Sequence, residues 1–262
     1  MGTNHSGLAL VTGASSGIGA ELARVLARHG HDLLLVARDR ARLDALASEL
    51  GRECGVKAEG FPADLGEAGG VGAVVAAVES RSLEIEVLVN NAGVGMHGPF
   101  ASGDPGALAA MLKLNVLALT ELTRALLPAM LKRKRGQILN LASTAAFFPG
   151  PYMAAYYASK AYVLSFSVAL ATELDDTGIT VTALCPGPTR SAFAERAGLK
   201  ATRLFRGRGV MEAAEVAKVG YDGMRAGEVV VIPGLRNKLL AASSRVGPRT
   251  LAARIVRALH RP

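Results

Sequence analysis

Leu10-Val11-Thr12-Gly13-Ala14-Ser15-Ser16-Gly17-Ile18-Gly19 decides the fold. A short apolar run, Leu8–Thr12, passes through a glycine turn into an amphipathic segment, Gly17–His29. That pattern predicts strand, turn and helix in order. Gly13 suits a tight turn, Gly17 lets backbone approach a pyrophosphate, and Gly19 lets helix and strand pack closely. The helix start then offers free N–H groups to a phosphate. The spacing is G-x-x-x-G-x-G, so the G-x-G-x-x-G pattern is not met. Its place in a strand–turn–helix unit, more than the glycines alone, points to nucleotide binding.

Downstream, apolar runs and helical patterns alternate. Strands are expected at Asp32–Ala37, Val56–Pro62, Val87–Asn90, Gln137–Leu141, Ile179–Leu184 and Val229–Ile232, making about seven with the first. Helical patterns cover Asp39–Leu50, the stretch from about Glu67 to Arg81, Pro105–Leu131 and Met153–Asp175. The alternation implies right-handed βαβ units, hence a single α/β domain of the Rossmann type with a doubly wound parallel sheet. Ligands of such sheets bind beyond the carboxyl ends of the strands. The expected division is residues 1–233 as the nucleotide-binding and catalytic domain and 234–262 as a basic extension packed on or beside it.

Composition excludes several classes. The chain has 262 residues, 50% of them hydrophobic, enough for one large core. No uninterrupted apolar run reaches the roughly 18 residues that suggest a bilayer span, and no charged-then-apolar leader pattern opens the chain. Two cysteines, Cys54 and Cys185, have no metal-ligand spacing and fit a reducing, cytoplasmic setting. The net charge of +8 admits an anionic partner, but aromatics at 5% and no tryptophan argue against nucleic acid. Met1–Ser6 formally matches an N-myristoylation pattern, set aside because the first strand starts at Leu8.

The second strand ends Leu35-Val36-Ala37-Arg38. An acid is expected there in an NAD site, to bond the ribose 2′-hydroxyl. Ala37 stands in its place and a guanidinium, suited to a 2′-phosphate, follows. NADP(H) is therefore preferred, with NAD(H) left open by the nearby Asp39. Farther on, Tyr156 and Lys160 are four apart, one turn of a helix. A neighbouring ammonium favours a phenolate, which would bring a tyrosine toward acid–base work.

These segments together resemble the short-chain dehydrogenase/reductase family over roughly residues 7 to 233. Thr12-Gly13-Ala14-Ser15-Ser16-Gly17-Ile18-Gly19 is similar to its cofactor motif, and Asn90-Asn91-Ala92-Gly93 to its motif after the fourth strand. Ser143 precedes Tyr156 by thirteen positions, as the family spacing requires, and Pro186-Gly187 follows the sixth strand. The resemblance implies hydride transfer between a nicotinamide and a carbonyl or secondary alcohol. It gives Tyr156 the proton, Ser143 the orientation of the substrate oxygen, and Lys160 the lowering of the tyrosine pKa and a hold on the ribose. Asn115 becomes a relay residue that holds a water between Lys160 and solvent. For the cofactor it implies Gly13, Ser15, Ser16, Gly17, Ile18, Gly19, Arg38, Asp64, Leu65, Asn91, Ala92, Gly93, Pro186, Gly187 and Thr189, with Tyr156 and Lys160. Ser191 competes with Thr189 for the hydroxyl role. Tyr152, Tyr157 and Tyr162 read as packing or pocket lining.

Thr144–Tyr152, with Met96, His97, Phe100, Phe193 and Phe205, suggests a greasy wall and an apolar ketone, steroid-like or acyl-chain substrate. Ser191–Val210 suggests a mobile basic lid, with Arg190, Arg196, Lys200, Arg203, Arg206 and Arg208. From Leu235 onward the chain has no acid, many cations and apolar residues at helical spacing. That tail suits a contact or simple packing, with an interfacial helix on anionic lipid as the other reading. The resemblance also implies a homodimer or homotetramer. Against a carbonyl reductase stand an NAD-linked alcohol or polyol dehydrogenase, and a cofactor-sensing or membrane-associated protein without chemistry.

Overall fold

In a computed structural model, which describes residues 6–199, 209–244 and 247–260, seven strands form one parallel sheet. They are β1 (Leu8–Thr12), β2 (Asp32–Ala37), β3 (Ala58–Pro62), β4 (Ile85–Asn90), β5 (Gly136–Leu141), β6 (Ile179–Leu184) and β9 (Val230–Val231). Their order is β3-β2-β1-β4-β5-β6-β9, so the direction of winding reverses between β1 and β4. That reversal is where a doubly wound sheet opens a crevice.

Both faces are buried because the strands carry apolar residues at odd and even positions alike. On β1 and β2, Ala9, Val11, Leu33 and Leu35 enter one core with Leu22, Leu26, Leu43 and Val216. Leu10, Leu34 and Val36 enter the other with Val74, Leu122, Leu126 and Leu170. The first core is covered by α1 (Gly17–Arg28), α2 (Arg40–Cys54) and α7 (Ala213–Arg225). The second is covered by α3 (Gly70–Ser80), α4 (Pro105–Arg133) and α5 (Ala154–Glu173).

The helix ends follow their capping residues. Asp39 accepts from the Arg42 N–H at 3.1 Å to start α2, and Gly55, left-handed at φ 70°, ends it. That stop moves the start of β3 to Ala58 from the expected Val56. Helix α4 starts at Asp104 with Pro105 in its first turn, and contains a π-helical segment, Lys113–Ala118, that its sequence pattern does not announce. By length and hydropathy α4 would be able to cross a bilayer, which a count of uninterrupted apolar residues misses. Here Met111, Leu122, Leu126 and Met130 are buried in the fold.

The expected basic lid is corrected in part. Its near end is tied down: β7 (Thr189–Arg190) pairs with β8 (Met211–Glu212), and α6 (Ala192–Arg196) follows Ser191. Lys200, Arg203, Phe205, Arg206 and Arg208 lie outside the described residues, as does most of the N-terminal acylation pattern. The tail forms two helices, α8 (Leu235–Ser243) and α9 (Arg249–His260).

Candidate active site

The carboxyl ends of β1, β2, β4, β5 and β6 surround a cavity of about 890 Å³. Its floor at one end is the glycine loop. Gly13 and Gly17 have φ of 66° and 60°, the left-handed region that disfavours a side chain. A side chain on Gly19 would put its first carbon 2.4 Å from the Gly13 carbonyl oxygen. Gly19 therefore does not line the cavity as expected; it lies behind the loop and permits the close packing that forms it. Gly13, Ser15, Ser16, Gly17 and Ile18 do line it.

Two side chains hold this loop against the next one. Thr12 Oγ1 accepts from the N–H groups of Asn91 (2.9 Å) and Ala92 (3.0 Å). Asn91 Nδ2 donates back to the carbonyls of Thr12 (2.8 Å) and Gly13 (3.2 Å). Asn90 Nδ2 donates to Asn140 Oδ1 and Thr123 Oγ1, each at 2.9 Å, fixing β4 to β5 and α4. Such buried amides, each donating twice, set loop geometry closely. At the rim Arg38 is largely exposed and meets Asp64 at 3.5 Å. Arg42, absent from the sequence reading, also lines the cavity here. Its position one turn into α2 was the only available signal.

Leu65, Asn91, Ala92, Gly93, Pro186, Gly187 and Thr189 all face the same space. Thr189 Oγ1 donates to the Gly187 carbonyl at 2.9 Å. Ser191 caps α6 and lies 3.1 Å from where a Gly17 side chain would begin. Ser191 thus stands over the glycine loop, while Thr189 stiffens the turn after Pro186.

Ser143, Tyr156 and Lys160 line the cavity's other end. Tyr156 and Lys160 share one face of α5, and Ser143 ends the strand side. Lys160 Nζ donates to the Leu141 carbonyl at 2.7 Å and lies 5.9 Å from the Tyr156 ring centroid. Burial lowers the Lys160 pKa to about 8. Burial also raises Tyr156 to about 12, with the Ser143 hydroxyl acting in the opposite direction. Burial sets the direction and the phenol is held protonated; the lowering expected from Lys160 is not among the causes of this shift.

Asn115 does not line the cavity. It sits in the π-helical segment, 1% exposed, with Oδ1 accepting from the Val94 N–H and Nδ2 donating to the Val94 carbonyl, each at 2.9 Å. Nδ2 also donates to Ser159 Oγ at 3.1 Å. Its first structural role is to pin the extended segment at Val94, next to Gly93. A side chain on Gly93 would begin 3.1 Å from Asn115 Oδ1 and 3.4 Å from Lys160 Nζ, so the three residues converge.

The apolar wall differs from the expected one. Phe148, Met153, Tyr157 and Phe193 line it. Phe147 turns to another cluster with Val163, and Phe100 is 71% exposed. Met96 packs behind the wall. The larger surprise is the tail: Leu251, Ile255, Val256, Leu259 and His260 of α9 also line the cavity, with His260 against Tyr157. Tyr157 and His260 Nε2 are 2.7 Å apart, and His97 Nε2 lies 3.1 Å from the His260 carbonyl oxygen. The apolar spacing of the tail signalled a packed helix; nothing in it signalled this partner. Leu235 and Leu239 of α8 stay exposed.

A family model described as short chain dehydrogenase matches residues 7–201. A very-long-chain 3-oxoacyl-CoA reductase of Anas platyrhynchos is 36% identical over 191 residues, covering 71% of this chain and 61% of that relative. A short-chain dehydrogenase from Sphingobium yanoikuyae in complex with NADPH is 38% identical with a TM-score of 0.83, covering 91% of this chain and 94% of that one. The bulky-bulky ketone specific alcohol dehydrogenase of Comamonas testosteroni is 34% identical with a TM-score of 0.79, covering 92% and 93%.

Proposed function

The chain belongs to the short-chain dehydrogenase family of oxidoreductases, and from that premise we propose an NADP(H)-dependent reductase of apolar ketones. One observation carries the reading: Tyr156, Lys160 and Ser143 face the same cavity as the glycine loop and Arg38. The residues fit a dinucleotide. The loop has no side chain where a pyrophosphate would approach, and Arg38 and Arg42 bring cations to the end of β2, where a 2′-phosphate would lie. The NADPH-bound relative and the oxoacyl and bulky-ketone relatives support the same choice of cofactor and substrate.

The nicotinamide, when bound, supplies hydride to the carbonyl carbon. Ser143 Oγ donates a hydrogen bond to the carbonyl oxygen and fixes its place. Tyr156, protonated at neutral pH, transfers its hydroxyl proton to that oxygen as the C=O π bond opens. The phenolate left behind is stabilised by the Lys160 ammonium on the next turn. Lys160, at the Leu141 carbonyl, is also placed to hold the ribose hydroxyls. Asn115, next to Lys160, belongs to the proton path that restores the phenol. Phe148, Phe193, Val256 and Leu259 exclude water from this step.

The same reading includes a homodimer or homotetramer in the cytoplasm. Leu112, Leu117 and Leu131 on α4 and Tyr162 and Val168 on α5 are exposed, as an interface through the two long helices requires. Light scattering checks the assembly. The main test is NADPH oxidation across ketones, steroids, aldehydes and acyl thioesters, with Tyr156→Phe as control. Turnover of an apolar ketone by the wild type alone is expected. Equal activity in the variant refutes the assignment.

A further inference from the structure

One wall of the cavity is apolar yet open to solvent. Leu251, Ile255 and Leu259 of α9 are spaced four apart, so they form one row along the helix. All three line the cavity that Tyr156 lines, and they are 54%, 57% and 39% exposed. A lone exposed leucine needs no explanation. A row of three in the wall of a site does.

The neighbouring row shows how the helix is held. Val256 and His260, one position on from Ile255 and Leu259, are buried. Val256 packs in one cluster with Met111, Tyr156 and Tyr157. Among the described residues the Tyr157 hydroxyl has no hydrogen-bonding neighbour but His260 Nε2, to which it donates at 2.7 Å. His97 Nε2 donates to the His260 carbonyl at 3.1 Å, so the end of α9 is held from a second side.

These contacts orient the open row. The Tyr156 and Tyr157 ring centroids are 6.1 Å apart, and those of Tyr157 and His260 are 5.5 Å apart. The row therefore starts near the chemistry at Leu259 and leads away from it to Leu251, about 12 Å along the helix axis. It is also more exposed at its far end than at Leu259. The cations of this helix, Arg249, Arg254 and Arg257, are exposed and are not part of the cavity wall.

Resting on the ketone-reductase reading, we infer that α9 gauges substrate length: Leu259, Ile255 and Leu251 take the unbranched alkyl chain of a ketone whose carbonyl meets Tyr156. The substrate class is then a long straight-chain ketone rather than a compact ring system. A zigzag of about ten carbons spans the row. Each methylene laid on it leaves water, as does the side-chain surface beneath. A lipid surface or a second copy of this protein would cover the row from outside. Its place in the same wall as Tyr156 and Val256 favours an occupant that enters the cavity.

The test is NADPH oxidation with straight-chain methyl ketones of increasing length, against a cyclic ketone of matched carbon number. In the wild type kcat/KM should rise about threefold per methylene while the alkyl chain lies along the row, through KM, and then level off. Ile255→Ser, at an exposed position, should cost the longest ketone about tenfold and the shortest far less. Leu251→Ser, farther out, should make the series level off at a shorter length. Wild-type indifference to length overturns the inference while turnover of the cyclic ketone leaves the reductase reading standing. An Ile255→Ser variant that costs every ketone the same factor also overturns it, since a merely structural residue would do that. So does a variant that keeps the length dependence but changes the light-scattering mass or loses flotation with phosphatidylserine vesicles, which would make the row a subunit or lipid contact. If the wild type reduces no ketone of any length, the reductase reading fails and takes the inference with it.

Discussion

The two ends of the cavity are made of different material. The glycine-loop end is mostly backbone, from adjacent parallel strands, locked by side chains that bond main-chain atoms: Thr12 to Asn91 and Ala92, Asn91 to Thr12 and Gly13. The Tyr157 end is side chain, gathered from the loop after β5, the start of α5, α6 and the last helix. The first end has little freedom to vary, since a single added methyl at Gly19 meets the Gly13 carbonyl. The second end can exchange residues of similar volume at small cost. One end therefore sets a common chemistry, and the other sets what enters it.

The sharpest test of this contrast is at the boundary. Tyr156→Phe keeps the ring and its contact with Phe193 but removes the only proton that the mechanism moves. Turnover should fall by about 10²- to 10⁴-fold, with NADPH affinity, read by fluorescence titration, little changed. A parallel loss of cofactor affinity would show that the two ends are not separable. Next in size is Gly19→Ala, which forces the loop to shift. It should cost about 1–3 kcal/mol in denaturant unfolding and weaken NADPH, whereas Val256→Ala in the tail should leave NADPH affinity unchanged.

The same contrast explains what the sequence made legible. Thr12–Gly19 is a local pattern, so the strand–turn–helix unit and its loop were readable in place, and Asn90–Gly93 by its likeness to the family motif; the order of strands came only with the fold. Tyr156 and Lys160 were readable as a pair from helical spacing, and Ser143 through the resemblance to the family. Three things were not. The π-helical segment at Asn115 has no local signature, because an extra residue in a helical turn leaves the apolar pattern nearly intact. The sign of the Tyr156 shift depends on total burial, which no spacing reveals. The meeting of Tyr157 with His260 spans 103 positions, and only the folded path of the tail creates it. The same is true of Phe147 and Phe100, aromatic residues in the right stretch that point elsewhere.

Arg38→Ala probes the glycine-loop end where it becomes side chain. The arginine is exposed, and its 3.5 Å contact with Asp64 contributes little in solvent. Stability should hardly change. If the guanidinium instead meets a 2′-phosphate, NADPH affinity should drop by about tenfold while NADH affinity stays the same. An equal loss for both cofactors would place Arg38 at the adenosine rather than at its phosphate.

The smallest expected effect lies at the other end and depends on pH. His260 has a folded pKa of about 4, below the ordinary histidine value of about 6.5. Between those values the unfolded or undocked tail binds the proton and the docked one does not. Docking therefore strengthens as pH rises through this window and weakens as it falls. Protonation would also cancel the acceptor that Tyr157 uses. His97 and Tyr157 are the titratable side chains against the ring, and neither offers a negative charge to offset an imidazolium. On acidification from about pH 7 to about pH 5, tryptic cleavage within α9, at Arg254 or Arg257, should rise a few-fold, while the NADPH-binding end keeps its affinity. His260→Phe, with nothing to titrate there, should show cleavage that is flat over the same range. If the wild type is equally flat, the tail is held by Val256 and its apolar neighbours, and the histidine contributes nothing to the latch.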